Sequence, residues 1–211
     1  WRYLPILPYC GFGAVTLFFI GTGVGKMAKR WRRLTEKEIA CARQVFGDAI
    51  DYQRVKIYRG IPLLPRLKVA VAPNGHIYFP RDLCPPDFTE AEPHFQVWLI
   101  HELTHVWQSQ QGFRPWLGGL LLALRGGYYR KRCYHYPAVA EGHLPDFGAL
   151  NMEQQAEVVA HYFAGQCLRW QHYYCHLNHY EACLKDFLEQ PKDKSLLPAY
   201  WQKRKADEIE C

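Results

Sequence analysis

The sequence predicts an α+β fold in which a small antiparallel sheet precedes a mainly helical half. Three observations carry that expectation. Two short runs, Lys68–Ala72 and His76–Phe79, flank Pro73-Asn74-Gly75 and suit a hairpin with an Asn-Gly turn. Apolar residues Phe95, Trp98, Leu99, Leu103, Val106 and Trp107 recur at helical spacing between about Glu92 and Gln111. A third helix is expected from about Asn151 to Gln171, and a fourth over roughly Asn178–Leu188.

The remaining elements follow from local chemistry. Thr35-Glu36-Lys37-Glu38 has the form of a capping box and opens a helix reaching about Phe46, with Gly47 as its stop. Tyr52–Tyr58 alternates polar and apolar residues and is expected to be a strand. Asp87 or Thr89 is expected to cap the helix that begins near Glu92. Trp116–Leu124 is strongly apolar but too short to span a bilayer; a core position is expected, with a membrane-facing surface as the alternative. Residues 126–149, rich in Gly, Tyr and Pro, suit an irregular loop.

With 211 residues, the chain fits one domain (34–211) preceded by an appendage (1–33). From Tyr3 to Gly25 there are 23 residues without a charge, enough to cross a bilayer core at about 1.5 Å per residue. A membrane anchor or inserting helix is the first expectation for residues 3–25, ahead of a docked helix or a signal peptide. A basic linker follows, with Lys26, Lys29, Arg30, Arg32 and Arg33 in eight positions. Arg125, Arg130, Lys131 and Arg132 form a second basic cluster. Neither sits in a nucleic-acid-binding motif, so no nucleic-acid partner is expected from the net charge of +6. None of the eight cysteines has CxxC spacing, and the set is expected to be mostly reduced, favouring a reducing compartment.

The chemistry concentrates in His101-Glu102-Leu103-Thr104-His105. Two histidines four apart share one helix face and can hold one metal ion, while Glu102 can reach a metal-bound water without ligating the metal. Such polar groups are costly on an apolar helix unless they are paired or ligating. A catalytic Zn²⁺ site needs a third protein ligand. Glu153, Glu157 and His161 recur at i, i+4 and i+8 on the third helix, and Glu153 is the first candidate. His135, His143 and His161 are the alternatives. Tyr128, Tyr129, Tyr134, Tyr136 and His161 are candidates for stabilising an oxyanion.

HELTH followed by a separate Glu-x-x-Ala-acidic helix resembles the gluzincin branch of the zincin-like zinc metallopeptidases. That resemblance implies Glu153 as the ligand and Glu157 as the acid that steadies a metal-bound histidine; the family's Asp is here the longer Glu157. More closely, four segments resemble the small metallopeptidases associated with Rhs/Vgr modules of bacterial type VI secretion. They are Leu34–Asp51 (LTEKEIACARQVFGDAID), Val71–Pro80 (VAPNGHIYFP), Ile100–Gln108 (IHELTHVWQ) and Asn151–Phe163 (NMEQQAEVVAHYF), and together the likeness covers about residues 34–165. It implies a secreted effector peptidase with a protein or peptide substrate, and a secretion-apparatus or immunity partner. Two other functions fit the same residues: a membrane-associated adaptor with a structural metal site, and a peptidoglycan peptide hydrolase.

Overall fold

A computed structural model describes residues 31–62, 68–136 and 144–200. The expectations for residues 3–25, Lys26, Lys29, Arg30, Cys10, His143 and Cys211 lie outside these described residues. The architecture is α+β, a three-stranded sheet at one side of a mainly helical body.

Strand β1 (Trp31–Arg32) leads into helix α1 (Glu36–Phe46), and β2 (Ile57–Arg59) and β3 (Ile77–Phe79) complete the sheet in the order β1-β2-β3. The basic stretch before Leu34 therefore supplies a strand. Arg32 explains its place: both terminal guanidinium nitrogens lie 2.7 Å from the carboxylate of Glu38, which is fully buried. Glu38 also accepts from the backbone N–H of Thr35 and of Phe88, each at 2.9 Å. The capping box at Thr35 forms as expected, and Gly47 ends α1 at φ +51, in the left-handed region that glycine tolerates.

The sheet departs from expectation in two ways. It is mixed rather than antiparallel: β1 and β2 are antiparallel, but β2 and β3 run parallel. The segment between β2 and β3 is long enough to bring the chain back in the same direction. The expected hairpin shrinks to a single Val71–Tyr78 bridge with bonds of 3.1 and 2.9 Å, because Pro73 removes a donor from its incoming limb. The expected strand from Tyr52 opens instead as a turn over Tyr52–Arg54, where the buried Tyr52 hydroxyl donates to Gly47 O at 2.8 Å.

Helix α2 (Pro93–Gln110) starts at a proline whose missing N–H costs nothing in the first turn. Neither Asp87 nor Thr89 caps it. The Asp87 carboxylate is engaged by the hydroxyls of Thr35 and Thr89, at 2.7 and 2.6 Å. Helix α4 (Met152–Gln166) has Asn151 as its cap and stops earlier than expected, where Arg169 turns to φ +56. Short α5 (Gln171–Tyr174) and α6 (Leu177–Glu189) close over α4. Gly165 permits this: a Cβ there would lie 3.1 Å from the backbone of Tyr173.

The core is aromatic. Phe79 meets Trp98 edge-on at 5.0 Å, and Trp107 meets Phe187 likewise at 5.0 Å. Helices α2 and α4 pack along each other more extensively than any other pair. Helix α3 (Pro115–Leu124) is not a core helix, contrary to expectation. It approaches the body through Gly118, where a Cβ would come within 2.7 Å of Met152 Sδ and of the Phe113 ring. Its large side chains turn outward, with Trp116 53% and Leu124 73% exposed. Among the described residues, no helix is long and apolar enough to cross a membrane, and Cys41, Cys84, Cys167, Cys175 and Cys183 are free thiols.

Candidate metal centre

Helices α2 and α4 bring His101, His105 and Glu153 together in the interior. One ligand atom from each lies within 4.8 Å of the others, and all three residues are buried. Glu153 Oε2 stands 3.4 Å from His101 Nε2 and 3.3 Å from His105 Nε2. Its other oxygen accepts a 2.8 Å hydrogen bond from the Tyr128 hydroxyl. This is a nitrogen-and-oxygen donor set that can hold a metal ion.

Glutamines that the sequence reading missed fix the His105 ring. Gln155 Nε2 donates to Phe147 O and Leu196 O, at 2.8 and 2.7 Å, so its oxygen is left to accept. Gln108 Nε2 donates to that oxygen at 2.9 Å and to Met152 O at 3.1 Å. The Gln108 oxygen is therefore an acceptor, and His105 Nδ1, 2.9 Å away, must be the donor. That assignment turns Nε2 toward Glu153. Both glutamines are fully buried. Helix α2 also carries Gln96 and Gln110, so its sequence does not single out Gln108.

His101 is held by Glu157, whose carboxylate lies 3.6 Å from Nδ1. The same carboxylate is 3.1 Å from His161 Nε2, and His161 Nδ1 pairs with the Tyr136 hydroxyl. The His161 ring stacks on Tyr173 at 4.4 Å. His161 and Tyr136 are thus engaged with each other and with Glu157 rather than turned toward the three-residue cluster. The Tyr134 ring lies 6.3 Å from that of His101. Tyr129 is exposed, as is His135, which meets α4 through its backbone oxygen accepting from Gln154.

Charge and burial compete throughout. Burial alone would push the Glu153 carboxyl up, but His105 and His101 hold it well below the ordinary carboxylate range. Burial would lower His105, yet Glu153 and Glu102 raise it to about 9. His101 is also raised, Glu153 and Glu157 outweighing burial. Glu157 is lowered, because His161 and His101 outweigh burial. Glu102 shifts the other way. It is 3% exposed, burial raises its carboxyl, and its Oε2 has no hydrogen-bond partner. A cleft of about 500 Å³ at the C-terminal end of α2, beside Asp51, His76 and Gln110, is lined by none of these residues.

The fold and this cluster define an α+β domain with a buried centre of two histidines and one carboxylate. No protein-family model matches the chain. The type VI secretion system spike protein VgrG2b of Pseudomonas aeruginosa is 37% identical over 142 residues, covering 66% of this chain. The chain spans 13% of that protein's length. Among solved structures, the effector domain of Pseudomonas aeruginosa VgrG2b matches with a TM-score of 0.55 and 31% identity, covering 73% of this chain and 82% of that domain. The chain belongs to the family of the VgrG2b effector domain, and this homology links it to type VI secretion.

Proposed function

We propose that the chain is a zincin-like, zinc-dependent peptidase domain that hydrolyses protein substrates as a type VI-associated effector. The observation that carries this reading is the convergence of His101, His105 and Glu153 beside the buried, unpartnered Glu102 oxygen. Two imidazole nitrogens and a carboxylate suit Zn²⁺, and Gln108 holds His105 in the tautomer that a metal ligand requires. Bound there, the ion supplies Lewis acidity to the scissile carbonyl and makes water more acidic.

The chain's own residues do the rest. Glu102 takes a proton from the attacking water as its oxygen bonds to the carbonyl carbon. It then passes that proton to the leaving nitrogen as the C–N bond breaks. Tyr128, kept protonated by burial and by the charge on Glu153, gives its one hydroxyl proton to Glu153 and so holds that carboxylate in place. Tyr134, whose ring lies 6.3 Å from that of His101, is the candidate donor to the carbonyl oxygen. Glu157, held by His161, which in turn pairs with Tyr136, keeps the His101 ring in place.

The test is a protein-cleavage assay with metal analysis on wild type and Glu102→Gln. Wild type is expected to carry about one zinc per chain and to cleave an unfolded protein. Glu102→Gln is expected to keep the metal and lose roughly 100- to 10,000-fold in rate. An unchanged rate would remove Glu102 from the chemistry.

A further inference from the structure

The sequence from Leu103 to Ala140 contains no Asp or Glu, and α3 lies in the middle of it. All ten residues of α3 are Pro, Trp, Leu, Gly or Ala, so the helix offers no polar side chain to a partner. Only Pro115 and Gly118 are buried. Leu117, Leu120, Leu121 and Leu122 remain partly exposed, and Trp116 and Leu124 project furthest, a costly arrangement in water.

The charged residues that flank this helix along the chain are all basic. Arg114 and Arg125 are exposed at its two ends. Beyond Gly126, the 48%-exposed Tyr129 sits between Arg130 and Arg132, whose guanidinium groups lie 5.4 and 5.9 Å from its ring centroid. Lys131 lies between them and is half-buried.

We propose that α3 and the basic turn after it dock the domain on an anionic lipid surface. A helix of ten residues is about 15 Å long, half of a hydrocarbon core of roughly 30 Å, so it lies in the interface rather than crossing it. Leucines enter the acyl region, Trp116 and Tyr129 sit at headgroup depth, and the arginines meet lipid phosphates. A lipid surface is favoured over a protein partner because it needs no orienting hydrogen bonds. The face supplies apolar depth and positive charge, the two things a bilayer recognises.

Docking has a consequence for substrate choice, which rests on the peptidase reading. The same turn carries Tyr128, whose hydroxyl bonds Glu153, so the membrane-facing surface and the metal centre are neighbours. Protein segments close to a membrane are then the favoured substrates.

The experiment is sedimentation of the full chain with phosphatidylcholine vesicles, with and without phosphatidylglycerol. Three proteins are compared: wild type, Trp116→Ser/Leu124→Ser, and Arg130→Gln/Lys131→Gln/Arg132→Gln. Wild type is expected to bind the anionic vesicles preferentially. The serine variant is expected to bind at least about tenfold more weakly. The glutamine variant should lose about fivefold per charge removed. Thermal melting of the serine variant should match wild type, because both replaced side chains are exposed. Binding by both variants equal to wild type, or no binding of wild type to anionic vesicles, overturns the proposal; the first result would move docking to another segment such as residues 3–25.

Vesicle binding is read without catalysis, so it is independent of the peptidase reading. With a cleavable protein tethered to anionic vesicles, the serine variant should lose its preference for the tethered over the soluble form. It should cleave the soluble form as wild type does. A preference that survives loss of vesicle binding removes the substrate inference.

Discussion

Gln108 determines which nitrogen of His105 faces Glu153 by accepting from Nδ1. Its own amide is locked by Gln155 and Met152 O, so His105 Nδ1 is committed as a donor before any ligand arrives. Gln108→Met keeps the volume and removes the acceptor. It is expected to weaken zinc affinity by roughly 10- to 100-fold while leaving the helices intact, as measured by competition with a chromophoric chelator. An unchanged affinity would mean that the ring needs no steering. The closeness of His101 and His105 was legible in the sequence because residues at i and i+4 share one helix face. The glutamines were not, because a buried amide and an exposed amide look the same in a sequence. The role of His161 was equally hidden: its spacing from Glu157 is visible, but Tyr136 reaches it from a distant turn.

Among the elements, α1 shows how a local motif acquires long-range work. The Thr35 capping box was readable from four residues, yet Glu38 also holds Arg32 of β1 and the backbone of Phe88. A carboxylate buried without its arginine, or an arginine without its carboxylate, is costly. Glu38→Ala is therefore expected to destabilise the domain by about 3–5 kcal/mol, read as a lower urea midpoint. A loss well under that figure would show that water replaces the carboxylate. The sheet was less legible because parallel pairing of β2 with β3 depends on where a long connection returns, which no local pattern encodes. Helix α3 illustrates the opposite error. Its apolar composition suggested the core, but α2 and α4 already cover one another and leave only the Gly118 side for α3 to approach. Composition told what the helix disfavours, namely water, and not what covers it.

For the whole molecule, the decisive event is the pairing of α2 with α4. Each helix alone carries half a site: two imidazoles on one, two carboxylates on the other. Packing them buries both halves together, which would be unfavourable for either alone. The likeness to the VgrG2b effector domain covers 73% of this chain. Metal analysis of the purified full chain, comparing wild type with Glu153→Ala, tests the central claim most directly. About one zinc per chain in wild type, with affinity reduced by orders of magnitude in Glu153→Ala, is the predicted result. A wild type that binds no zinc, or a Glu153→Ala protein that binds it as tightly, would contradict a centre built from His101, His105 and Glu153.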